Sequence, residues 1–328
     1  MRIVQIVPRR PPPPEGVGSY AEALAAALYA AHGIESRFVV RTEGLEEALD
    51  GSPVLLHYVS YGYHPRGCPK ELVAKVTRLR LDERARLVTF FHEVYATGPP
   101  WRSSFWLSGV QRRLARTLAQ ASDALATSLD LYAGLLAPWV RPAPVPELPV
   151  FSTVGEPVSV PPLAERHRRL VVFGGSGARA RAFGEARDDL AAACAWLGIE
   201  EIVEVGPPIP VPPAVAGVPV RSAGTLPAGQ IGELLAQSLA GFLAYPPRFL
   251  GKSTIYAAYC AHGVLPLCAW RRRHGREAVV PAFVLDGSPL PGKEQAVAAA
   301  RRAGAWYRTH TLARQAQTFC DLLFPCVS

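Results

Sequence analysis

The chain has 328 residues, 49% of them hydrophobic, and a formal net charge of +8 at pH 7. A chain of this length can bury two cores of ordinary size, so two domains are expected. The positive charge favours anionic partners, which include nucleotides, acidic lipids and nucleic acid. No run of about 18 apolar residues occurs, which excludes a membrane-spanning helix. The spacing of cysteine and histidine indicates no metal site.

The N-terminus enters directly into a strand pattern over residues 2–7 and lacks the features of a signal peptide. We therefore expect a cytoplasmic protein. Prolines then lead to a small-residue turn, after which a helix is predicted from Ala21 to about Ala31. The turn lacks the third glycine of the dinucleotide-binding pattern Gly-x-Gly-x-x-Gly, which disfavours a dehydrogenase. The turn residues are Gly16, Val17, Gly18 and Ser19.

Apolar strands alternate with amphipathic helices through the first half of the chain, which predicts a parallel α/β sheet. A basic helix is predicted around residues 107–119. His57 lies inside an apolar strand near Tyr58, Tyr61 and Tyr63. This aromatic cluster either lines an acceptor pocket or packs, and packing is favoured. The predicted strands after the first are 37–40, 54–58, 87–91 and 124–127.

His92 and Glu93 directly follow the strand at 87–91. Ligands of doubly wound sheets bind beyond the carboxyl ends of the strands. An imidazole can hydrogen-bond hydroxyl groups and share a proton, while a neighbouring carboxylate can orient it or act separately. His92 and Glu93 are therefore candidate catalytic residues. The alternative is a loop histidine with satisfied hydrogen bonds beside a solvated acid.

Prolines are so frequent between residues 138 and 163 that a continuous helix is excluded there. This composition predicts an interdomain linker, assigned to 151–164. The first domain is then 1–150, the second domain is 165–305, and the closing helical segment is 306–328.

The second half repeats the alternation of strands and helices. A glycine-rich turn is predicted at 174–177 and a helix at 182–197. Residues 294–328 are predicted to be mostly helical, with breaks near Gly304 and Thr309. The predicted strands are 170–173, 201–205, 218–222, 241–244 and 264–267.

The stretch around Lys252 reads as a strand, a tight loop and the start of a helix. Exposed amides and the helix dipole at such a start attract anions, and the lysine strengthens the attraction. A P-loop would need a glycine five residues before Gly251, but Pro246 and Pro247 stand there and remove amide donors. The stretch therefore predicts phosphate binding of another kind, through Gly251, Lys252, Ser253 and Thr254.

The same stretch resembles the donor loop of retaining, family-four glycosyltransferases of the GT-B fold. Their loop reads Glu-Gly-Phe-Gly-Leu-Pro-x-x-Glu-Ala-Met-Ala-x-Gly and continues into an apolar strand. Aligned on Gly263, this chain matches in its small residues, its helix and the strand Val264-Leu265-Pro266-Leu267. It departs at both glutamates, whose positions are held by Leu250 and Ala258.

The resemblance implies two facing Rossmann-like, doubly wound domains and a closing helix that returns to the first domain. It implies transfer of a hexose from a nucleotide diphosphate sugar to an acceptor, with retention, without a metal and without a further cofactor. The small-residue turn at 16–19 would shape the acceptor side, and His92 would face the acceptor or the sugar.

The resemblance also implies roles for residues of the second domain. Arginines after its first strand would neutralise the diphosphate leaving group, and a later turn would contact the nucleobase through its backbone. The implied diphosphate-binding residues are Gly174, Gly175, Ser176, Arg179, Arg181, Gly251, Lys252, Ser253 and Thr254. The implied nucleobase contacts are Gly224, Thr225 and Leu226.

The missing acids leave a second hypothesis open. Each glutamate would contribute a charge-assisted hydrogen bond worth about 1.5–3 kcal/mol. A non-catalytic binding or partner subunit could keep the fold after losing them. The acceptor stays undefined as a saccharide, a lipid-linked molecule or a small molecule. Peripheral membrane contact through the arginine-rich helix stays open, whereas nucleic acid is not expected as a partner.

Overall fold

A computed structural model describes residues 1–9, 16–45, 51–83, 85–96, 103–140, 144–271, 280–288, 290 and 292–325. The chain divides into two compact units, Met1–Pro149 with Leu312–Ser328 and Val150–Thr311. Among the described residues, no helix is both long and apolar enough to cross a membrane.

The first unit contains a five-stranded sheet in which all neighbouring strands are parallel. Its strands are β1 (Arg2–Val7), β2 (Glu35–Val40), β3 (Val54–Tyr58), β4 (Leu87–Phe91) and β5 (Ala124–Thr127), in the spatial order β2-β1-β3-β4-β5. Every residue of β3 and β4 is buried, as expected for parallel strands whose two faces are both covered. The predicted parallel α/β organisation of this half is confirmed.

Helices connect these strands. They are α1 (Gly16–His32), α2 (Ser60–Tyr63), α3 (Lys70–Glu83), α4 (Ser103–Ala121) and α5 (Asp130–Leu136). The predicted turn at 16–19 is wrong, because these four residues form the first turn of α1. First-turn amides lack carbonyl partners within a helix, so the expected attraction for anions belongs to the helix terminus. The prolines at 11–14 lie outside the described residues.

The second unit contains a seven-stranded sheet. Its strands are β6 (His167–Phe173), β7 (Glu201–Val205), β8 (Ala214–Val215), β9 (Val218–Ser222), β10 (Ser238–Ala244), β11 (Leu265–Ala269) and β12 (Phe283–Leu285), in the order β12-β11-β10-β6-β7-β9-β8. All pairs are parallel except β8 with β9. The carboxyl ends of β6, β7, β9 and β10 therefore lie at one edge of the sheet.

The helices of the second unit cover this sheet. They are α6 (Ser176–Phe183), α7 (Arg187–Leu197), α8 (Ala228–Ala236), α9 (Thr254–Ala261) and α10 (Lys293–Tyr307). The single helix predicted at 182–197 is wrong, because α6 ends before Gly184 and α7 begins after it. The break predicted near Gly304 is also wrong, since α10 continues through that residue.

The last helix, α11 (Leu312–Leu323), belongs to the first unit and packs on α1 and β4. Its Phe319 ring lies edge-on to Phe90, with 5.4 Å between ring centroids. Gln315 is fully buried: its amide accepts a hydrogen bond from Tyr20 Oη and donates one to the Pro149 carbonyl at 2.6 Å. These contacts fix Tyr20 beside the carboxyl end of β4.

Candidate functional site

The carboxyl ends of β6 and β10 lie side by side in the second unit, and the loops that follow them are in contact. Gly174 directly follows β6 and has a φ of +120°. A Cβ at this position would lie 2.4 Å from Cδ1 of Ile255, which is in the first turn of α9. L side chains rarely adopt this backbone conformation, which favours glycine, and the end of the Ile255 side chain occupies the space where a Cβ would lie. The missing side chain thus lets α6 and α9 start next to each other.

The start of α6 presents unpaired backbone amides at this edge. Gly175 caps the helix, and Gly175, Ser176 and Gly177 are all exposed. The partial positive charge of a helix N-terminus favours an anion. The predicted residues Gly174, Gly175 and Ser176 thus lie together at the edge that holds the start of α9.

Arg181 is exposed and reaches from α6 towards the end of β10. Its Nε donates to the Ala244 carbonyl, the last residue of β10, at 3.4 Å. This contact holds a guanidinium at the carboxyl edge of the sheet, within the same loop cluster. Guanidinium groups match phosphate oxygens with several donors at once.

The loop after β10 forms a 3₁₀ helix, Pro247–Lys252, and then caps α9. Lys252 is half-buried, and its Nζ lies 5.4 Å from the centroid of the Phe249 ring. Ser253 Oγ accepts a hydrogen bond from the Tyr256 amide at 3.2 Å, which makes Ser253 the N-cap.

Two of the predicted phosphate ligands in this loop have structural partners. Gly251 is buried, and its carbonyl accepts from the Val150 amide at 2.8 Å. Ser253 is also buried, and its cap uses the hydroxyl oxygen as an acceptor, which leaves the hydroxyl proton as the donor. Lys252 and Thr254 are the more accessible members of the predicted set.

Arg179 has a different role from the one expected. Its side chain is fully buried and forms an ion pair with Glu204 of β7. Its Nε donates to the Gly174 carbonyl at 2.8 Å, and its Nη2 donates to the Pro207 carbonyl. The predicted diphosphate ligand is therefore an internal brace that joins the loops after β6 and β7.

The turn predicted to meet a nucleobase follows β9 at the same edge. Gly224 has a φ of +68°, and its carbonyl accepts from the Gly206 amide at 2.8 Å. Thr225 is exposed and Leu226 is half-buried. The backbone link to Gly206 connects this turn to the loop that Arg179 braces.

The residues at the positions of the family's two glutamates are part of the core. Leu250 is 1% exposed and Ala258 is fully buried. An acid at either position would lose its hydration, which is costly without a buried partner. The two carboxylates of the family's donor loop therefore have no counterpart at positions 250 and 258.

In the first unit, the predicted catalytic pair lies at the end of β4. The backbone amides of His92 and Glu93 both donate hydrogen bonds to the Tyr58 carbonyl, with N···O distances of 2.9 and 3.4 Å. His92 is 8% exposed, and its ring lies edge-on to the rings of Tyr20 and Phe90, with centroids 5.2 and 4.4 Å away. Tyr20 directly follows Ser19, so the start of α1 and His92 are neighbours.

His57 packs among aromatic rings, as expected, and it is also the polar partner of His92. Its Nδ1 lies 3.2 Å from His92 Nε2, and its Nε2 lies 2.8 Å from Gln5 Oε1. Both His57 and Gln5 are fully buried, and burial lowers the pKa of His57 to about 3. A signal for this contact existed in the sequence, since Gln5 and His57 interrupt the apolar runs at residues 3–7 and 54–58.

In the parts of the chain that the structure describes, no group of three His, Cys, Asp or Glu side chains could hold a metal ion.

The two Rossmann-like units, each with its loop cluster at the carboxyl edge, define the fold as that of a GT-B glycosyltransferase. The fold expected from the donor-loop resemblance is confirmed. No protein-family profile matches the chain, and no curated protein matches it in sequence.

Three solved structures illustrate the likeness. An alpha-glucosyltransferase bound to UDP and modified DNA is 11% identical, with a TM-score of 0.59 over 98% of this chain and 99% of that chain. HepE from Anabaena, bound to UDP, is 12% identical, with a TM-score of 0.60 and the same coverage. WaaG, a glycosyltransferase of lipopolysaccharide biosynthesis, is 13% identical, with a TM-score of 0.54 over 98% and 100%.

Proposed function

We propose that the protein is a glycosyltransferase that moves a hexose from a nucleotide diphosphate sugar to an acceptor. The observation that carries this proposal is the contact between Gly174 and Ile255, which brings the starts of α6 and α9 together at the sheet edge where Arg181 lies. Two helix termini and a guanidinium suit a diphosphate. Proteins of the same fold along nearly the whole chain were solved with UDP.

In this proposal the second unit binds the donor. Arg181, Lys252 and Thr254, with the amides of Gly175 and Ser176, hold the diphosphate and stabilise the charge of the leaving nucleotide diphosphate. The turn at 224–226 contacts the nucleobase through its backbone. Because these groups supply the positive charge, no metal and no further cofactor is assigned to the reaction.

The first unit supplies His92, which hydrogen-bonds a hydroxyl of the sugar or of the acceptor, with Glu93 beside it. The amides at the start of α1, residues 16–19, shape the acceptor side. Retention of the anomeric configuration rests on the resemblance to family-four enzymes. The configuration of the product's new glycosidic bond, read by NMR, tests it.

Turnover of labelled nucleotide sugars tests the transfer activity. The full chain is incubated with radiolabelled UDP-, GDP- and ADP-hexoses, and release of the sugar to water or to added acceptors is measured. Sugar release from one donor that falls in the Arg181→Ala variant supports the proposal. Binding of a donor without release under any acceptor would contradict it.

The buried Leu250 and Ala258 favour one alternative, a subunit that binds a nucleotide sugar without transferring it. The same experiment separates the two functions. A non-catalytic subunit binds the donor with an affinity that depends on Arg181, yet releases no sugar.

We further propose that the acceptor is presented at an anionic membrane surface that α4 contacts. Trp106 is 76% exposed and Val110 is 39% exposed on this helix, and Arg112, Arg113 and Arg116 are exposed beside them. An aromatic side chain within a basic helix suits the interface of acidic lipids. Sedimentation with vesicles of anionic lipid tests this: Trp106→Ser should reduce the bound fraction, and binding equal to that of neutral vesicles would refute it.

A further inference from the structure

A row of hydrogen-bonded polar side chains behind His92, buried from Gln5 onwards, carries a further inference, which rests on the proposed function of His92. It runs from Ser36 through Gln5 and His57 to His92, with successive distances of 2.8, 2.8 and 3.2 Å. These residues come from β2, β1, β3 and the end of β4, which are consecutive neighbours in the sheet. The row therefore crosses the sheet and ends at the candidate catalytic ring.

With the Gln5 amide in the orientation described next, its partners determine where the protons lie along this row of side chains. The Gln5 amide nitrogen donates to Ser36 Oγ, which turns its oxygen towards His57 Nε2. A carbonyl oxygen only accepts, so Nε2 of His57 carries a proton. In a neutral imidazole the other nitrogen is then an acceptor. Nδ1 of His57 must accept from His92, whose Nε2 consequently carries the proton.

Burial keeps His57 in its neutral form. Its side chain is fully buried, with the rings of Tyr20 and Phe90 lying 5.9 and 6.4 Å away between centroids. A charged imidazolium would lose its hydration there, which is why the pKa of His57 is lowered to about 3. His57 is thus a fixed acceptor for His92 throughout the neutral pH range.

We propose that His57 is a positioning residue that holds His92 in the tautomer protonated on Nε2 and fixes the orientation of its ring. Nδ1 of His92 is then the nitrogen with the lone pair, suited to accept a hydrogen bond or a proton from a hydroxyl group of the sugar or acceptor. Fixing the tautomer of a catalytic imidazole through a buried partner is how orienting groups act in catalytic triads. Gln5 fixes the tautomer of His57 through the hydrogen bond to its Nε2 and therefore acts on His92 indirectly, through His57.

The tautomers can be read directly by long-range ¹H–¹⁵N NMR of the full chain labelled with ¹⁵N-histidine. The wild-type protein should show both His57 and His92 protonated on Nε2, with the signals assigned by loss in His57→Leu and His92→Gln. In His57→Leu, His92 should become a mixture of tautomers. In His57→Asn, the side-chain oxygen takes the position of Nδ1 and should restore the single tautomer.

The kinetic readout separates positioning from a structural role. His57→Leu should lower turnover of the nucleotide sugar roughly tenfold or more, leave UDP affinity unchanged, and recover in His57→Asn. If His57→Leu does not fold, Gln5→Met replaces it, since losing the amide oxygen should release the tautomers of both histidines.

Three results would overturn the inference. The first is protonation of wild-type His92 on Nδ1, and the second is an unchanged His92 tautomer in a folded His57→Leu or Gln5→Met variant. The third is a loss of UDP affinity in His57→Leu that matches its loss of turnover. Absence of turnover in the wild-type protein would instead refute the proposed function, and the NMR comparison would still decide the role of His57.

Discussion

The buried ion pair between Arg179 and Glu204 should be the most sensitive point of the second unit. Arg179→Met keeps the length of the side chain but leaves the Glu204 carboxylate, itself 2% exposed, without its cation. Removing one partner of a buried pair costs about 3–5 kcal/mol. At about 2–4 °C per kcal/mol for a unit of this size, the transition temperature should fall by roughly 6–20 °C.

A double variant makes this prediction specific. Arg179→Met combined with Glu204→Leu removes both charges, and replacing a buried pair by apolar side chains is close to neutral. The carbonyls of Gly174 and Pro207 still lose their donor, at about 1 kcal/mol each. The double variant should therefore recover part of the stability lost in the single variant, leaving a deficit of about 2 kcal/mol.

The assay is urea unfolding and differential scanning calorimetry of the full chain, combined with titration of UDP. An Arg179→Met variant as stable as the wild-type protein but unable to bind UDP would refute the reasoning. That result would make Arg179 a phosphate ligand, as its sequence position first indicated.

Three further outcomes follow from the site. Gly174→Ala should lower stability by about 1–3 kcal/mol, because its Cβ would meet Ile255 at a φ of +120°; Gly175→Ala, with open space around its Cβ and a φ of −63°, is the control and should be nearly neutral in urea unfolding. Ser253→Ala should lose about 1 kcal/mol by removing the cap of α9, and Ser253→Asp should keep it, as thermal unfolding would show. The depressed pKa of His57 means that the unfolded chain binds more protons at this residue, so His57 should lower stability by about 1.4 kcal/mol per pH unit as the pH falls below about 6.5. Burial also lowers the pKa values of His310 and His262, so His57→Leu should reduce the slope by about that amount and leave their contribution. An equal slope in both proteins would be contrary to this account.

The strands were predictable because parallel strands covered on both faces are runs of apolar residues. The start of α1 was not, since glycines have low helix propensity and suggest a turn. Packing overrides that preference here: Gly18, Tyr20 and Leu24 of α1 are all buried. Local composition could not reveal a helix start that depends on contacts made further along the chain.

The two arginines of α6 show what a sequence can decide about a site. Arg179 and Arg181 look equivalent in a list of cations, but residues two apart lie on different sides of a helix. Arg179 lies three and four residues before Ala182 and Phe183, which are both buried. This helical spacing places Arg179 on the face of α6 that packs against the core. Its partner Glu204 lies on another strand, and that pairing depends on the register of the sheet.

The contact between His57 and His92 was missed for the same reason. Each residue is visible as a polar position at or within an apolar strand, but sequence does not state that β3 lies between β1 and β4. Once that order is known, Gln5, His57 and His92 are seen to come from three neighbouring strands, so their side chains can lie in a row.

Calorimetric titration with UDP, GDP and ADP tests the central claim most directly, because it asks whether the second unit binds a nucleoside diphosphate through the predicted cations. The wild-type protein should bind one of the three, and Arg181→Ala and Lys252→Ala should each weaken that binding at least about tenfold. Arg168→Ala is the matched control, since Arg168 lies at the opposite end of β6 with a side chain 59% exposed, and it should bind like the wild type. Binding of none of the three nucleotides, or equal affinity in all four proteins, would contradict the account.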